Sequence, residues 1–219
     1  MLNLDIVTVL FLVITLSVSI GIHEYAHALM SYKLGDPTPK LQGRLTPNPI
    51  AHIDPIGFLM IFLIGFGRGK PVQVNPMYYK KPIEGELMVA LAGPASNIIM
   101  AAIAIFVILL YGSLMGMRQS VLLMGSGDLV LEFRKLFAFI NIALAVFNML
   151  PIPPLDGFRL VKMFFPKLAD YMQMYGFYIA IFFLILILGP GRGIIGGFIR
   201  GVSSFIFSSL FAVLSVIVY

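Results

Sequence analysis

Apolar positions run almost without interruption from residue 4 to residue 32. The run is far longer than the alternation of a half-buried strand, and it lacks the polar face of a soluble amphipathic helix. At 1.5 Å per residue it is long enough to cross a bilayer, so the first element is expected to be a spanning helix that stops at Lys33-Leu34-Gly35-Asp36-Pro37. Residues 40–54 (KLQGRLTPNPIAHID) read differently. Pro47, Pro49 and Pro55 forbid a regular helix, and the short pieces between them suit extended chain. Residues 56–66 are apolar but too short to cross, which suits a re-entrant or interfacial piece. Residues 65–70 (GFGRGK) then turn, and residues 71–76 alternate like a short strand, so a small sheet is expected against the membrane beside the first helix.

A second span follows Lys80-Lys81-Pro82, with Glu84 and Glu86 in a first turn where the helix dipole favours carboxylates. It runs through Gly93-Pro94-Ala95-Ser96-Asn97, small enough for a neighbouring helix to approach closely, to about residue 110. A third span, roughly residues 129–150, ends abruptly at Pro151-Ile152-Pro153-Pro154 and is followed by Leu155-Asp156-Gly157. A fourth run covers about residues 171–188, residues 189–197 form a flexible break, and residues 198–219 form a final span or a surface-lying helix. The pattern predicts an all-α polytopic membrane protein. About five transmembrane or membrane-embedded helices are expected, with a small membrane-associated β-sheet between the first and second spans. One domain is expected over residues 1–219, with a core over 1–165 and C-terminal helices over 166–219.

Composition strengthens this picture. Of 219 residues 59% are hydrophobic and 11% charged, with a mean hydropathy of +0.98, whereas a soluble domain carries about a quarter charged residues. A water-soluble class is excluded. The net charge of +5 does not point to nucleic acid, because the cations are spread through the connections between apolar runs. Lys33, Lys40, Arg44, Arg68, Lys70, Lys80 and Lys81 lie between the first two spans, and Arg159, Lys162 and Lys167 follow the third. The opposite side receives Arg118, Arg134, Lys135 and Arg192. The excess of cations on one side places the end of the first span and the end of the third at the cytoplasmic face, which brings His27 and Asp156 to one depth. The first five residues lack the cations that open a cleaved signal peptide, so the first run is expected to stay as a span. With no cysteine, any metal must be held by nitrogen and oxygen.

Chemistry enters with His23-Glu24-Tyr25-Ala26-His27. Between Asp5 and Lys33 the only imidazoles and carboxylates are His23, Glu24 and His27, and such groups are expensive in hydrocarbon. On a helix, positions i and i+4 lie one above the other, so the two imidazoles can grip one metal ion. Glu24 is rotated off that line and suited to hold a water. Two histidines leave zinc one protein ligand short of the usual three plus water. The candidates are Asp156, Asp54 and His52, with Asp156 favoured because its span ends at the same face. A zinc-binding transporter or scaffold without hydrolytic activity would place ligands on several spans along a path and would not need Glu24. A hydrolase acting on a lipid or a small amide is a further alternative.

HEYAH in an apolar helix, together with NMLPIPPLDG at residues 148–157, resembles the site-2 protease family of intramembrane zinc metalloproteases. GRLTPNPIAHIDPIG and KPVQVNP are similar to the membrane-side segments of its short members, those without an added soluble sensing domain. The resemblance implies one zinc per chain held by His23, His27 and Asp156, with Glu24 as general base in peptide hydrolysis. It implies that Asn148 polarises the substrate carbonyl or holds the oxyanion, and that Asn97, like Asn141 a polar residue within a span, packs helices together or supports the site. His52 is a candidate for a supporting, gating or oxyanion role. Val72 and Val74, in the segment at residues 72–75, are candidates for pairing with an unwound substrate, and the segment at residues 44–53 is the alternative. The expected partners are transmembrane protein substrates and the lipid bilayer, with a homo-oligomer or a regulatory membrane protein compatible with the pattern and no nucleic acid.

Overall fold

A computed structural model of the chain describes residues 5–64, 69–123 and 128–219. The first run forms α1, Ile6–Lys33. Asp5 caps it by accepting from the Thr8 backbone N–H at 2.6 Å, and Lys33 stands in its last turn, where the dipole favours a cation. Two short turns follow, α2 (Thr38–Leu41) and a 3₁₀ turn at Pro49–His52, then α3 (Pro55–Ile64), about 15 Å long and too short to cross. Most of the turn expected over residues 65–70 lies outside the described residues. A 3₁₀ turn at Pro76–Tyr78 leads into α4, Pro82–Leu114, which has proline in its first turn and Pro94 inside it.

Then come α5 (Gln119–Leu123), α6 (Leu129–Asn148), α7 (Phe158–Phe164), α8 (Pro166–Met174), α9 (Gly176–Leu188) and α10 (Arg192–Val218). Among the described residues three helices are long and apolar enough to cross a membrane: α1, α4 and α10. The run expected at residues 171–188 is a broken pair, α8 and α9, bent by 79°; counted as one span it brings the total to four. The expected third span is α6, which carries Glu132, Arg134 and Lys135 near its start and packs against α1, α4 and α10.

The core lies where α4 meets α6. Ala101, Ile105, Ile108 and Leu109 of α4 close on Leu131, Ala138 and Ile142 of α6, with Phe211 of α10 completing the cluster. Elsewhere large apolar side chains face outward, as a bilayer solvent permits: Phe177, Phe205 and Val216 are each more than two-thirds exposed.

The expected small β-sheet is absent: no strand occurs among the described residues. The reason lies in where the backbone groups are spent. The stretch after α2 closes on itself, with Arg44 N–H donating to the Pro39 carbonyl and Ala51 N–H to the Asn48 carbonyl. The Arg44 guanidinium and His52 Nε2 donate to the carbonyls of Ala51 and Thr46. The stretch at residues 71–75 has no regular secondary structure: Val72 N–H goes to the Glu24 carboxylate at 2.9 Å and Asn75 N–H to the Asp36 carboxylate at 2.7 Å. One backbone bond, Lys70 N–H to the His52 carbonyl at 2.7 Å, joins the two stretches. A ladder needs repeated exchange between neighbours, and carboxylates and prolines have taken the donors.

Candidate metal centre

Helix α1 carries the pair. His23 and His27, four residues apart, lie one above the other, and both are buried with 7% and 8% of their surface exposed. Their Nε2 atoms are 3.0 Å apart. The third group arrives from the loop after α6. Asn148 ends that helix, and its backbone carbonyl accepts the Gly157 N–H at 2.7 Å, folding residues 149–157 back over the helix end. Only glycine fits at 157, since a Cβ there would lie 2.6 Å from the Leu150 carbonyl oxygen. This closure sets Asp156 Oδ2 3.1 Å from His23 Nε2 and 3.2 Å from His27 Nε2. Burial alone would raise the Asp156 carboxyl, but the two imidazoles that face it hold it well below the usual carboxylate range. It is an anion.

Three donor atoms therefore form a nearly equilateral triangle with edges of 3.0, 3.1 and 3.2 Å. Ligand atoms on a tetrahedral zinc with bonds of about 2.0–2.1 Å sit about 3.3 Å apart. The donor set, two imidazoles and one carboxylate, is that of catalytic zinc, and it is the one group among the described residues able to hold a metal ion.

The far nitrogens of both imidazoles are also fixed. His27 Nδ1 is 2.6 Å from the Val89 carbonyl oxygen on α4. A carbonyl can only accept, so the proton is on Nδ1 and Nε2 presents its lone pair. His23 Nδ1 is 2.6 Å from Asn97 Oδ1, also on α4. Outer oxygens of this kind set the tautomer and ring plane of metal-binding histidines. Helix α4 comes this close because Gly93 lies against the pair: a Cβ there would be 2.6 Å from both Cε1 and Nε2 of His23. The small-residue motif points to close approach, but which side chain it admits is visible only across the interface.

Glu24, next to His23 on α1, has one carboxylate oxygen 2.9 Å from the Val72 N–H. The amide of Asn148 donates to the Leu144 carbonyl at 2.9 Å, one turn back on its own helix, and has a second amide hydrogen besides. His52 is fully buried and donates from Nε2 to the Thr46 carbonyl, so its imidazole braces its own loop, and its Nδ1 has no protein partner. Val72 meets the site through its backbone N–H. Asp54 and His52, the other candidates for third ligand, are not part of the metal-ready cluster. Asn141 of α6 joins the site through Asn97, whose Nδ2 lies 2.9 Å from Asn141 Oδ1.

A sequence model of peptidase family M50 matches residues 11–188. YwhC of Bacillus subtilis, provisionally named a zinc metalloprotease, is 42% identical over 185 residues, covering 82% of this chain and 81% of that protein. Rip2 of Mycobacterium tuberculosis, provisionally named likewise, is 28% identical over 180 residues, covering 79% of this chain and 64% of that protein. Rip2 of Mycolicibacterium smegmatis is 28% identical over 153 residues, 64% of this chain and 51% of its own. No solved structure matches the chain.

Proposed function

The chain belongs to peptidase family M50 and is a zinc-dependent intramembrane protease acting on membrane proteins; from that premise we propose that His23, His27 and Asp156 hold the zinc and that Glu24 is the general base. The observation that carries this assignment is the triangle of donor atoms drawn from α1 and the distant loop after α6. Zinc, when bound, polarises the scissile carbonyl and lowers the pKa of water to near 7.

The remaining work belongs to the chain. Glu24, an HExxH-type glutamate beside the triangle and outside it, takes a proton from the attacking water and passes it to the leaving amide nitrogen. The second amide hydrogen of Asn148 serves the oxyanion. A substrate helix must unwind before its carbonyl can be attacked, because its backbone groups are otherwise paired. The stretch at residues 71–75 reaches Glu24 through Val72 N–H and is where an opened substrate pairs; because that N–H already serves Glu24, Val74 is the position offered to substrate. The site opens toward the cytoplasmic face within one membrane domain, following the cation asymmetry. A transporter would distribute ligands along a path, whereas these meet at one point.

The test is a panel in detergent with a transmembrane peptide substrate, reading zinc content and cleavage together. We expect Glu24→Gln to keep zinc and lose turnover by at least about a hundredfold. His27→Ala and Asp156→Ala should lose both, and Val74→Pro should keep zinc and cleave poorly. Normal cleavage by Glu24→Gln would remove the general-base assignment, and normal zinc in Asp156→Ala would remove the ligand set.

A further inference from the structure

The two histidines have their far nitrogens held by oxygens of different kinds. His27 faces a main-chain carbonyl, which cannot turn around. His23 faces a side-chain amide, whose oxygen and nitrogen have almost the same shape, so Asn97 can present either one. Were Asn97 reversed, its NH₂ would face His23 Nδ1 and favour the tautomer with the proton on Nε2, where the metal-binding lone pair is required.

What prevents the reversal can be read outward from a fixed point. The Phe137 carbonyl oxygen only accepts, so the Asn141 atom 2.8 Å from it is the NH₂ group. That turns Asn141 Oδ1 toward α4, where it accepts from Asn97 Nδ2 at 2.9 Å. Asn97 is left with its oxygen toward His23 Nδ1 at 2.6 Å. A reversed Asn97 would set its oxygen against Asn141 Oδ1 and toward the Ser19 carbonyl, 3.5 Å from the present Nδ2. Both asparagines are fully buried, where an acceptor set against an acceptor is costly. We propose that Asn141 is a positioning residue of the metal centre: it locks the orientation of Asn97 and, through it, the tautomer of His23. The proposal rests on the ligand role of His23 argued above.

The test is zinc affinity by chelator competition on the purified full chain in detergent, which does not depend on turnover. Asn141→Leu is nearly isosteric and removes both hydrogen bonds; its zinc binding should weaken by about tenfold, as for other outer partners of metal-binding histidines. Asn141→Asp, whose protonated form donates to Phe137 and accepts from Asn97, should bind zinc like the parent. The decisive arm is a double-mutant cycle with Asn97→Asp, whose carboxylate offers His23 an oxygen whichever way it turns. In that background Asn141→Leu should cost no further affinity. An equal loss in both backgrounds would mean that Asn141 only packs two helices together, and parental affinity in Asn141→Leu would equally overturn the proposal. His23→Ala is the separate control: if it left zinc affinity unchanged, the ligand reading itself would fall, and this one with it.

Discussion

Gly93 shows how much a single missing side chain decides. Its α-carbon faces the donor edge of His23 and His27, so any Cβ would intrude on ring atoms. The rings cannot swing aside, because hydrogen bonds to Asn97 and Val89 hold their far nitrogens. We expect Gly93→Ala to lower zinc affinity by more than about tenfold. Gly193→Ala, where a Cβ meets nothing within 4 Å, should leave zinc binding alone and stabilise the helix by up to about 1 kcal/mol. Equal zinc affinity in the two variants, measured against a chelator, would mean that α4 can retreat from α1. The residues of the site differ in how far the sequence discloses them. His23, Glu24 and His27 are legible in local spacing, because two side chains brought together on one helix obey that helix's own period. Asp156 is legible as one of three candidates, since its position depends on the end of a distant span. The roles of Gly93 and Asn141 are not, because what each does is defined by a group on another helix.

At the scale of elements, the stretch at residues 71–75 is pinned by carboxylates at both ends, Glu24 near its start and Asp36 near its finish. Alternating apolar residues at 71–76 predict a strand, but no strand forms there and Pro76 opens a 3₁₀ turn. Alternation does not report a partner, which is why the expectation of a sheet fails. Asp36 is fully buried and accepts from Ser31 Oγ at 2.7 Å, Thr38 N–H at 2.9 Å and Asn75 N–H at 2.7 Å, tying the end of α1 to the stretch beside the site. Burial alone would raise its carboxyl, but the hydrogen bonds from Thr38, Asn75 and Ser31 outweigh that and hold it below the ordinary aspartate value. With the folded value depressed, the stabilisation is fully present above the unfolded value of about 3.9. It is lost as pH falls through the folded value. Asp36→Asn should therefore cost about 2 kcal/mol at pH 7, a drop of several degrees in the unfolding midpoint. The gap from the parent should narrow below about pH 4. A gap that stays constant from pH 7 to pH 3 would show that the charge of Asp36 does not carry the brace.

For the whole molecule, hydropathy makes the long apolar helices legible and their bends and charged ends less so. Helix α6 keeps three charged residues near its start because the fold gives them local partners there. Lys135 pairs with Glu132 at 3.2 Å, and Arg134 stands over the Tyr111 ring at 5.1 Å. Tyr111 in turn donates to Asp128 at 2.8 Å, fastening the end of α4 to the start of α6. Tyr111 is 18 residues along α4 from Gly93, about 27 Å of helix, so this cluster and the metal centre lie at opposite ends of the bundle. The site's end also bears exposed Lys33, Lys80 and Lys81, and the far end bears Arg118. Cations hold the cytoplasmic end of a membrane helix, so the metal centre should open to the cytoplasm. The absence of cysteine makes this directly measurable. Lys81→Cys and Arg118→Cys each create a lone exposed thiol, one before α4 begins and one after it ends. A membrane-impermeant maleimide added to intact cells should label Arg118→Cys at once and Lys81→Cys only after permeabilisation. The reverse labelling would turn the molecule over and put the site on the outer face. Labelling of both in intact cells would mean that α4 does not cross the membrane, and the shared depth of His27 and Asp156 would then need another frame.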